Sequence, residues 1–298
     1  MAAPRFGYLL TAMVTPFAPD GSLAFDAARD LARFLVEQGN DALVVGGSTG
    51  EGSALSDAEK LDLFAAVAEA VNVPVLAGTS SSDTARSVEL TAQVAATGAA
   101  GILATTPAYA RPSQHGIAAH FGAMAESTPL PLMLYDIPVR TGRKVSSATT
   151  IEVVRRYTNV VALKDASADL VSAATTKAEL GEAIDLYSGD DALLLPFLAI
   201  GAVGLVSVAA HWAAPEFAAL IRSAHAGDWN AARVLNARLA PSCTFESSDM
   251  YPNPLPSKAA MRALGFVVGQ CRLPLGVSDD VLDQSARDVV SALAATRG

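Results

Sequence analysis

The chain has 298 residues, of which 51% are hydrophobic and 17% are charged, and its formal net charge is −9. This length and composition permit one large core such as an α/β barrel, whereas the acidic balance argues against nucleic-acid binding, which needs a basic face. The two cysteines, Cys243 and Cys271, fit no C-x-x-C or zinc spacing and predict reduced thiols in a cytoplasmic protein.

Two apolar segments resemble targeting or membrane signals. The first, at residues 8–14, contains threonine and follows little positive charge, so we interpret it as a strand and not as a signal peptide. Residues 192–210 carry no charge and are about long enough to cross a bilayer. Pro196 and Gly204 interrupt them, which predicts a buried helix, a turn and a strand, and no membrane span.

Eight short apolar runs recur along the chain, each too short to be a helix. Most are rich in Val, Ile or Leu and alternate little with polar residues. This pattern is typical of strands that are buried on both faces in a parallel sheet. The predicted strands are residues 8–14, 42–45, 74–77, 101–104, 131–134, 160–163, 184–187 and 204–208.

Helical patterns lie between these strands. Ser56 and Glu59 form a capping-box signature ahead of a helix that runs to about residue 71, and Gly98 is a typical residue after a helix end. The other predicted barrel helices are residues 25–38, 83–97, 147–157, 168–180 and 191–200. Beyond residue 215 only helices are predicted, at 217–225, 229–239, 258–264 and 278–296.

Eight strands that alternate with helices predict a (β/α)₈ TIM barrel. The alternative is an open doubly wound sheet, which would more often carry a glycine-rich dinucleotide fingerprint after its first strand. We expect residues 1–225 to form the barrel, which would be the catalytic domain, and residues 226–298 to form a C-terminal helical extension.

Lys164 lies one step inside the end of the sixth apolar run. Because side chains alternate faces along a strand, Val160 and Ala162 should share its face. Apolar neighbours should lower the pKa of the amine below its reference value of about 10.4, and only a neutral amine attacks a carbonyl to form a Schiff base. The alternative is a strand-end lysine whose ammonium reaches water.

Chemistry in such barrels gathers at the C-terminal ends of the strands. After strand two, Ser48 and Thr49 could hold a carboxylate, or Ser48 could form a capping box with Glu51. Tyr135, at the end of strand five, could transfer a proton or be an interfacial tyrosine. Arg140 could bind a substrate carboxylate or be a solvated loop charge.

The four histidines form no H-E-x-x-H pattern, and the chain has no P-loop. The sequence therefore predicts no metal and no cofactor. A lysine, a tyrosine, a hydroxyl pair and an arginine at a barrel mouth suit Schiff-base aldol chemistry on a keto acid.

Three segments, GGSTGE (46–51), YDIPVRTG (135–142) and LKDAS (163–167), carry a resemblance to a known family. From about residue 9 to residue 275 the chain resembles the dihydrodipicolinate synthase and N-acetylneuraminate lyase family, metal-independent class I lyases that are commonly homotetramers built from two dimers. The resemblance implies that Lys164 forms an imine with pyruvate. It also implies a proton relay formed by Tyr135, Thr49 and a Tyr109 that a neighbouring subunit supplies. By the same resemblance, Ser48 and Thr49 would hold the pyruvate carboxylate, Arg140 would bind the carboxylate of the incoming aldehyde, and Gly189 and Val206 would contribute backbone groups.

Some features resemble the synthase branch, which condenses pyruvate with aspartate β-semialdehyde in lysine and diaminopimelate biosynthesis. They are residues 111–114, the small Ala166, and the segments 188–191 and 253–258. One alternative is another pyruvate-dependent aldolase of the family, acting on a sialic acid or a 2-keto-3-deoxy sugar acid. Another is a catalytically silent protein with a binding role.

The chain departs from the synthase pattern at four positions. Ala108 stands where synthases usually carry a tyrosine that helps to form the dimer interface and the lysine feedback site. Lys60, Ser82 and Arg86 stand where lysine-regulated members usually have histidine, asparagine and glutamate. Because an arginine would repel a lysine ligand, we expect activity that is insensitive to lysine.

Overall fold

The computed structural model describes residues 3–297, so the first two positions of the predicted barrel domain and the last position of the predicted extension lie outside the described residues. The strands are β1 (Leu9–Ala12), β2 (Ala42–Val45), β3 (Val75–Gly78), β4 (Gly101–Thr105), β5 (Leu132–Asp136), β6 (Val160–Asp165), β7 (Asp185–Ser188) and β8 (Gly204–Ser207). The barrel helices are α1 (Phe25–Glu37), α2 (Asp57–Ala70), α3 (Thr84–Gln93), α4 (Gln114–Glu126), α5 (Pro138–Thr141), α6 (Ser147–Arg156), α7 (Leu170–Leu180), α8 (Leu194–Ala199) and α9 (Ala210–His225). The chain continues into α10 (Trp229–Phe245), α11 (Leu255–Ala263) and α12 (Asp280–Ala294).

All eight strands are parallel and close into a barrel in chain order, with β1 paired to both β2 and β8. Inward side chains such as Leu10, Met133 and Ala162 fill the barrel, while alternate residues such as Leu43 and Leu134 pack outward against the helices. The two layers explain the continuous apolar runs, because each strand is covered on both faces. The predicted (β/α)₈ barrel with a helical C-terminal extension is confirmed.

The face predicted for Val160 is wrong. The register between β5 and β6 shifts at this point, with Leu132 opposite Val160 but Met133 opposite Ala162. This bulge inserts Val161 as an extra residue and resets the alternation. Val160 consequently packs outward, whereas Ala162 packs inside the barrel on the face of Lys164.

Several predicted helix ends are also wrong. The helix expected at 217–225 begins earlier, at Ala210, because non-helical backbone angles at Ala213 form a kink that accommodates Pro215. The helix expected to end at residue 239 continues past Pro241 to Phe245. Helices α4 and α5 were not predicted.

The extension packs on the barrel through α9 and α10. The indole of Trp212 donates to the Ser242 hydroxyl at 3.0 Å and meets Phe245 edge-on at 5.8 Å between ring centroids. The predicted division at residues 225/226 falls in the turn between these helices and stays a prediction. Within residues 3–297, no helix combines the length and the apolar character needed to cross a bilayer.

Candidate active site

The loop after β2 (residues 46–51, hereafter the β2 loop) is a tight backbone arrangement at the barrel mouth. Gly46 has φ +68°, and a Cβ there would lie 2.9 Å from the ring of Phe64. A Cβ on Gly52, just after the loop, would lie 2.0 Å from the carbonyl oxygen of Gly46. Only glycine fits both positions, so the glycines of this segment shape the loop that presents Ser48 and Thr49.

The alternative in which Ser48 and Glu51 form a capping box is wrong. Glu51 has left-handed backbone angles (φ 53°), and the next α-helix, α2, is capped by the Ser56 and Glu59 box instead. The Glu51 carboxylate is buried, lies 2.7 Å from Lys258 Nζ and accepts the Arg272 backbone N–H at 2.8 Å. Glu51 therefore ties the β2 loop to the C-terminal extension.

Lys164 lies inside the barrel mouth, as predicted from the sequence. It is 3% exposed and stands in register between Tyr135 on β5 and Tyr187 on β7. Its Nζ lies 4.4 Å from the centroid of the Tyr135 ring. Burial lowers the pKa of the amine to about 8, although Asp191 opposes the shift. The neutral, nucleophilic fraction of this amine near neutral pH is therefore larger than that of an ordinary lysine.

Gly189 and Val206 surround the lysine with backbone and apolar surface. A Cβ on Gly189 would lie 2.9 Å from Lys164 Cγ, so the glycine allows the lysine stem to pass close by. Gly189 N–H donates to the Asp165 carbonyl at 2.7 Å. Val206 is buried on β8 and packs in the same inner cluster as Ala162.

Tyr135 is held as a neutral phenol. Burial raises its pKa, while Arg140 and the Ser48 side chain oppose that shift. Its ring lies against Lys164 and its hydroxyl is near Ser48, one residue from Thr49. A phenol that keeps its proton is a hydrogen-bond and proton donor for an oxygen bound between these groups.

Thr49 is positioned by Asn253, a residue to which the sequence analysis gave no role. Asn253 Nδ2 donates to Thr49 Oγ1 at 2.9 Å, and Ser257 Oγ donates to Asn253 Oδ1 at 3.1 Å. Because Thr49 Oγ1 accepts from the amide, its own proton is free to point into the mouth. The only sequence signal for Asn253 was its place in the segment 253–258, which resembles the synthases.

Arg140 lies in the last turn of α5 and is also anchored to Asn253. Its Nη2 donates to the Asn253 carbonyl at 2.9 Å. An open cavity of about 630 Å³ lies beside this group and is lined in part by Ser48, Ile137 and Arg140. Asn253 thus fixes both Thr49, which is predicted to relay protons, and Arg140, which is predicted to bind a carboxylate.

Tyr109 is not brought to this site within one chain. Its side chain is 93% exposed and its backbone is left-handed, with φ 69°. Tyr109 does not line the cavity, although its neighbour Ala108 does. The prediction that a neighbouring subunit supplies Tyr109 remains a prediction.

Two further features bear on the sequence analysis. Cys243 and Cys271 are free thiols. Among residues 3–297, no three His, Cys, Asp or Glu side chains gather as metal ligands would.

Comparisons with known proteins agree with this geometry. A profile of the Dihydrodipicolinate synthetase family matches residues 5–293. A relative from Moorella thermoacetica, named 4-hydroxy-tetrahydrodipicolinate synthase, is 44% identical over 273 residues, which cover 91% of this chain and 92% of the relative. The structure of DHDPS from Cyanidioschyzon merolae with lysine bound is similar at 39% identity and a TM-score of 0.94, covering 97% of this chain and 98% of that one. A DHDPS structure from Acinetobacter baumannii, complexed with pyruvate, shares 30% identity at a TM-score of 0.91 and covers 97% of this chain and 99% of that one.

Proposed function

Because the chain belongs to the dihydrodipicolinate synthetase family, we propose that it is a Schiff-base lyase that condenses pyruvate with aspartate β-semialdehyde to 4-hydroxy-tetrahydrodipicolinate. The product belongs to lysine and diaminopimelate biosynthesis. The observation that carries the proposal is the buried Lys164 amine, whose pKa is lowered to about 8 and which lies against the ring of Tyr135.

Lys164 supplies the nucleophile. Its neutral amine attacks the keto carbon of pyruvate to give a carbinolamine, the carbinolamine hydroxyl takes up a proton and leaves as water, and an iminium forms on Nζ. Ser48 and Thr49 hold the pyruvate carboxylate through their hydroxyl and backbone N–H groups. The positive nitrogen acidifies the pyruvate methyl group, which loses a proton to give the enamine.

The enamine carbon then attacks the aldehyde carbon of the second substrate. Tyr135 gives its proton to the alkoxide that develops, and Thr49 returns one to the phenol from the relay. The amino group of the semialdehyde adds to the iminium carbon, which closes the ring and releases the Lys164 amine. Gly189 and Val206 offer backbone groups around the reacting carbons, and Arg140 binds the aldehyde's carboxylate through its guanidinium fork.

The proposal includes an assembly. A tyrosine that is 93% exposed is unusual for a catalytic group, and this exposure supports a role for Tyr109 in the site of a neighbouring subunit. We propose a homotetramer, built as a dimer of dimers, in the cytoplasm. Sedimentation of the purified protein, together with the activity of a Tyr109→Phe variant, tests this assembly.

The direct test is turnover of pyruvate with aspartate β-semialdehyde, followed through a coupled reductase that consumes the product. Steady turnover supports the synthase. An absence of turnover, with Lys164 still trapped by borohydride and pyruvate, would keep the Schiff base and require a different aldehyde or a sugar acid as the second substrate.

Lys164→Arg is the matched variant for the same experiment. Arginine keeps the positive charge and much of the length, but it is always protonated and cannot form an imine. We expect no borohydride-trapped adduct by mass spectrometry and a loss of almost all turnover. Near-normal turnover in this variant would contradict the Schiff-base mechanism.

A further inference from the structure

Two buried carboxyl groups beside Lys164 have no part in the mechanism above. Asp191 follows β7 and is 3% exposed. Its Oδ2 accepts the backbone N–H groups of Val208 and Ala209 at 2.9 and 2.8 Å. Its other oxygen, Oδ1, and the Oε2 of Glu246 are both buried without a hydrogen-bond donor. Two unpaired carboxyl oxygens at one place are costly unless one of them carries a proton.

A single proton shared between the two groups removes this cost. A protonated carboxyl group donates one hydrogen bond, so one proton pairs Glu246 Oε2 with Asp191 Oδ1. The two side chains interact directly, since the Asp191 side chain contributes to the raised pKa of Glu246 through both charge and a hydrogen bond. We refer to Asp191 and Glu246 as the carboxyl pair.

Hydrogen-bond donors determine which of the two groups keeps the proton. Asp191 accepts two N–H groups that immediately precede α9, a helix of 16 residues, and the positive end of that dipole favours a carboxylate. The Ala209 N–H also opposes the rise of the Glu246 pKa, but it does not outweigh the other causes. Burial, together with Asp191, raises the pKa of Glu246 well above its usual range. The proton therefore belongs to Glu246.

Of the other ionisable groups near the carboxyl pair, Cys243 and His211 are neutral, whereas the negative charge of Asp190 raises the pKa of Glu246 further. Burial raises the pKa of the Cys243 thiol, so it stays neutral. His211 uses Nε2 to accept the Val14 N–H at 3.1 Å and Nδ1 to bond the Val208 carbonyl at 2.7 Å, as a neutral imidazole. Asp190 accepts the Ala192 N–H at 3.0 Å, and burial raises its pKa.

The carboxyl pair acts on Lys164. The charge of Asp191 opposes the loss of the lysine's proton, whereas the charge of Arg140 favours that loss. Gly189, two residues before Asp191, packs against the Lys164 side chain. The same loop therefore leaves room for the lysine at Gly189 and carries the negative charge of Asp191. A fixed negative charge here stabilises any positive nitrogen on Lys164, whether ammonium or iminium.

We propose that Glu246 is a positioning residue that donates a hydrogen bond to Asp191, so that the carboxyl pair presents one fixed negative charge as the counter-ion of the Lys164 nitrogen. The inference rests on the proposed Schiff-base function. It goes beyond that function by assigning a role to a residue in the extension, outside the three segments that carry the family resemblance.

Three variants test the inference: Glu246→Gln, Glu246→Met and Asp191→Asn. Gln is a neutral hydrogen-bond donor like a protonated Glu, Met removes the donor at similar size, and Asn removes the charge of Asp191. The first readout is the pH dependence of Lys164 labelling by acetic anhydride, followed by mass spectrometry of its peptide. The second is the pH dependence of borohydride trapping with pyruvate. Circular dichroism and urea melts check that each variant is folded.

We expect Asp191→Asn to lower the apparent pKa of Lys164 by about one pH unit, because a nearby opposite charge is lost. Glu246→Met should lower it in the same direction, because Asp191 Oδ1 loses its hydrogen-bond donor and the negative charge is no longer held in place beside the lysine. Glu246→Gln should restore wild-type behaviour in both readouts. If Asp191→Asn does not fold, the comparison of the two Glu246 variants still decides.

Two outcomes overturn the inference. If Glu246→Gln lowers the apparent pKa as much as Asp191→Asn does, Glu246 carries its own charge and is no donor. If Glu246→Met matches wild type, the hydrogen bond has no effect on the lysine. A wild-type protein that labels at Lys164 but is never trapped by pyruvate refutes the proposed function instead, and the labelling series then still decides the role of the carboxyl pair.

Discussion

Replacement of Lys258 by Met should destabilise the protein strongly. Lys258 and Glu51 are each 1% exposed, and their Nζ and Oε1 atoms are 2.7 Å apart. Lys258 also donates to the Gln270 carbonyl at 2.9 Å, and its Nζ lies 4.2 Å from the centroid of the Phe17 ring. Methionine fills a similar volume but removes the ion-pair partner of the Glu51 carboxylate, which keeps its bond from the Arg272 N–H.

The size of the effect follows from leaving one charge alone in the interior. Removal of one member of a buried ion pair costs about 3–5 kcal/mol, of a total stability of about 5–15 kcal/mol. Burial lowers the pKa of Lys258 even though Glu51 opposes the shift, so desolvation outweighs attraction in the pair. The double variant Glu51→Gln/Lys258→Met, which removes both charges, should therefore recover more than half of the loss.

Urea unfolding measures both effects. We expect a lower midpoint with an unchanged m-value for the single variant and a partial return for the double variant. Arg33→Met is the matched control, because the Arg33 and Asp30 side chains are 51% and 69% exposed and such a pair contributes about 0.5 kcal/mol or less. A Lys258→Met loss no larger than that of the control, or a double variant less stable than the single one, would refute the reasoning.

Other predictions concern activity and pH. Tyr135→Phe keeps the ring against Lys164 but loses the hydroxyl, so turnover should fall about 10²–10⁴-fold while the urea midpoint stays near wild type; an unchanged rate would remove Tyr135 from the relay. Burial raises the pKa of Asp136 from 3.8 to about 7, so stability should fall as pH rises through this interval, by at most about 4 kcal/mol. Asp136→Asn should reduce this slope in melts at pH 4–8, although Glu246 and Asp190, whose pKa values are also raised, still contribute to it; an identical slope in the variant would contradict the assignment. Lysine at millimolar concentration should leave the coupled-assay rate unchanged, because Lys60 and Arg86 line the cavity beside the β2 loop and their positive charges repel a lysine ligand. Inhibition by lysine would show that the cavity accepts a cation.

Local sequence patterns predicted the barrel well and its helical layer less well. Every strand was found near its predicted position, because strands covered on both faces leave uninterrupted apolar runs. Helix α4 was missed because Gly116 and Gly122 weaken its helical pattern. A Cβ on Gly122 would lie 2.3 Å from the Tyr157 hydroxyl oxygen. The glycine is therefore required by a tertiary contact, which no local sequence pattern shows.

The positions of site residues were predictable from the sequence where a residue lies at or just after the end of its own strand. Lys164, Tyr135 and Thr49 all lie at the barrel mouth, as strand periodicity and the motifs indicated. Glu51 was ambiguous because a capping box is a local pattern, whereas its true partner, Lys258, comes from the extension. Asn253 lies 204 residues from Thr49 in sequence, and no spacing rule connects positions that far apart.

That long separation has a consequence for protein synthesis. The β2 loop leaves the ribosome first, and the residues that hold it, Asn253, Lys258 and Arg272, follow about 200 residues later. A nascent chain that stops just before Asn253 has all eight barrel strands, yet Thr49 has no amide partner and Glu51 has no counter-charge. We expect such a chain to be catalytically silent, so that activity begins only when these three residues have docked onto the β2 loop.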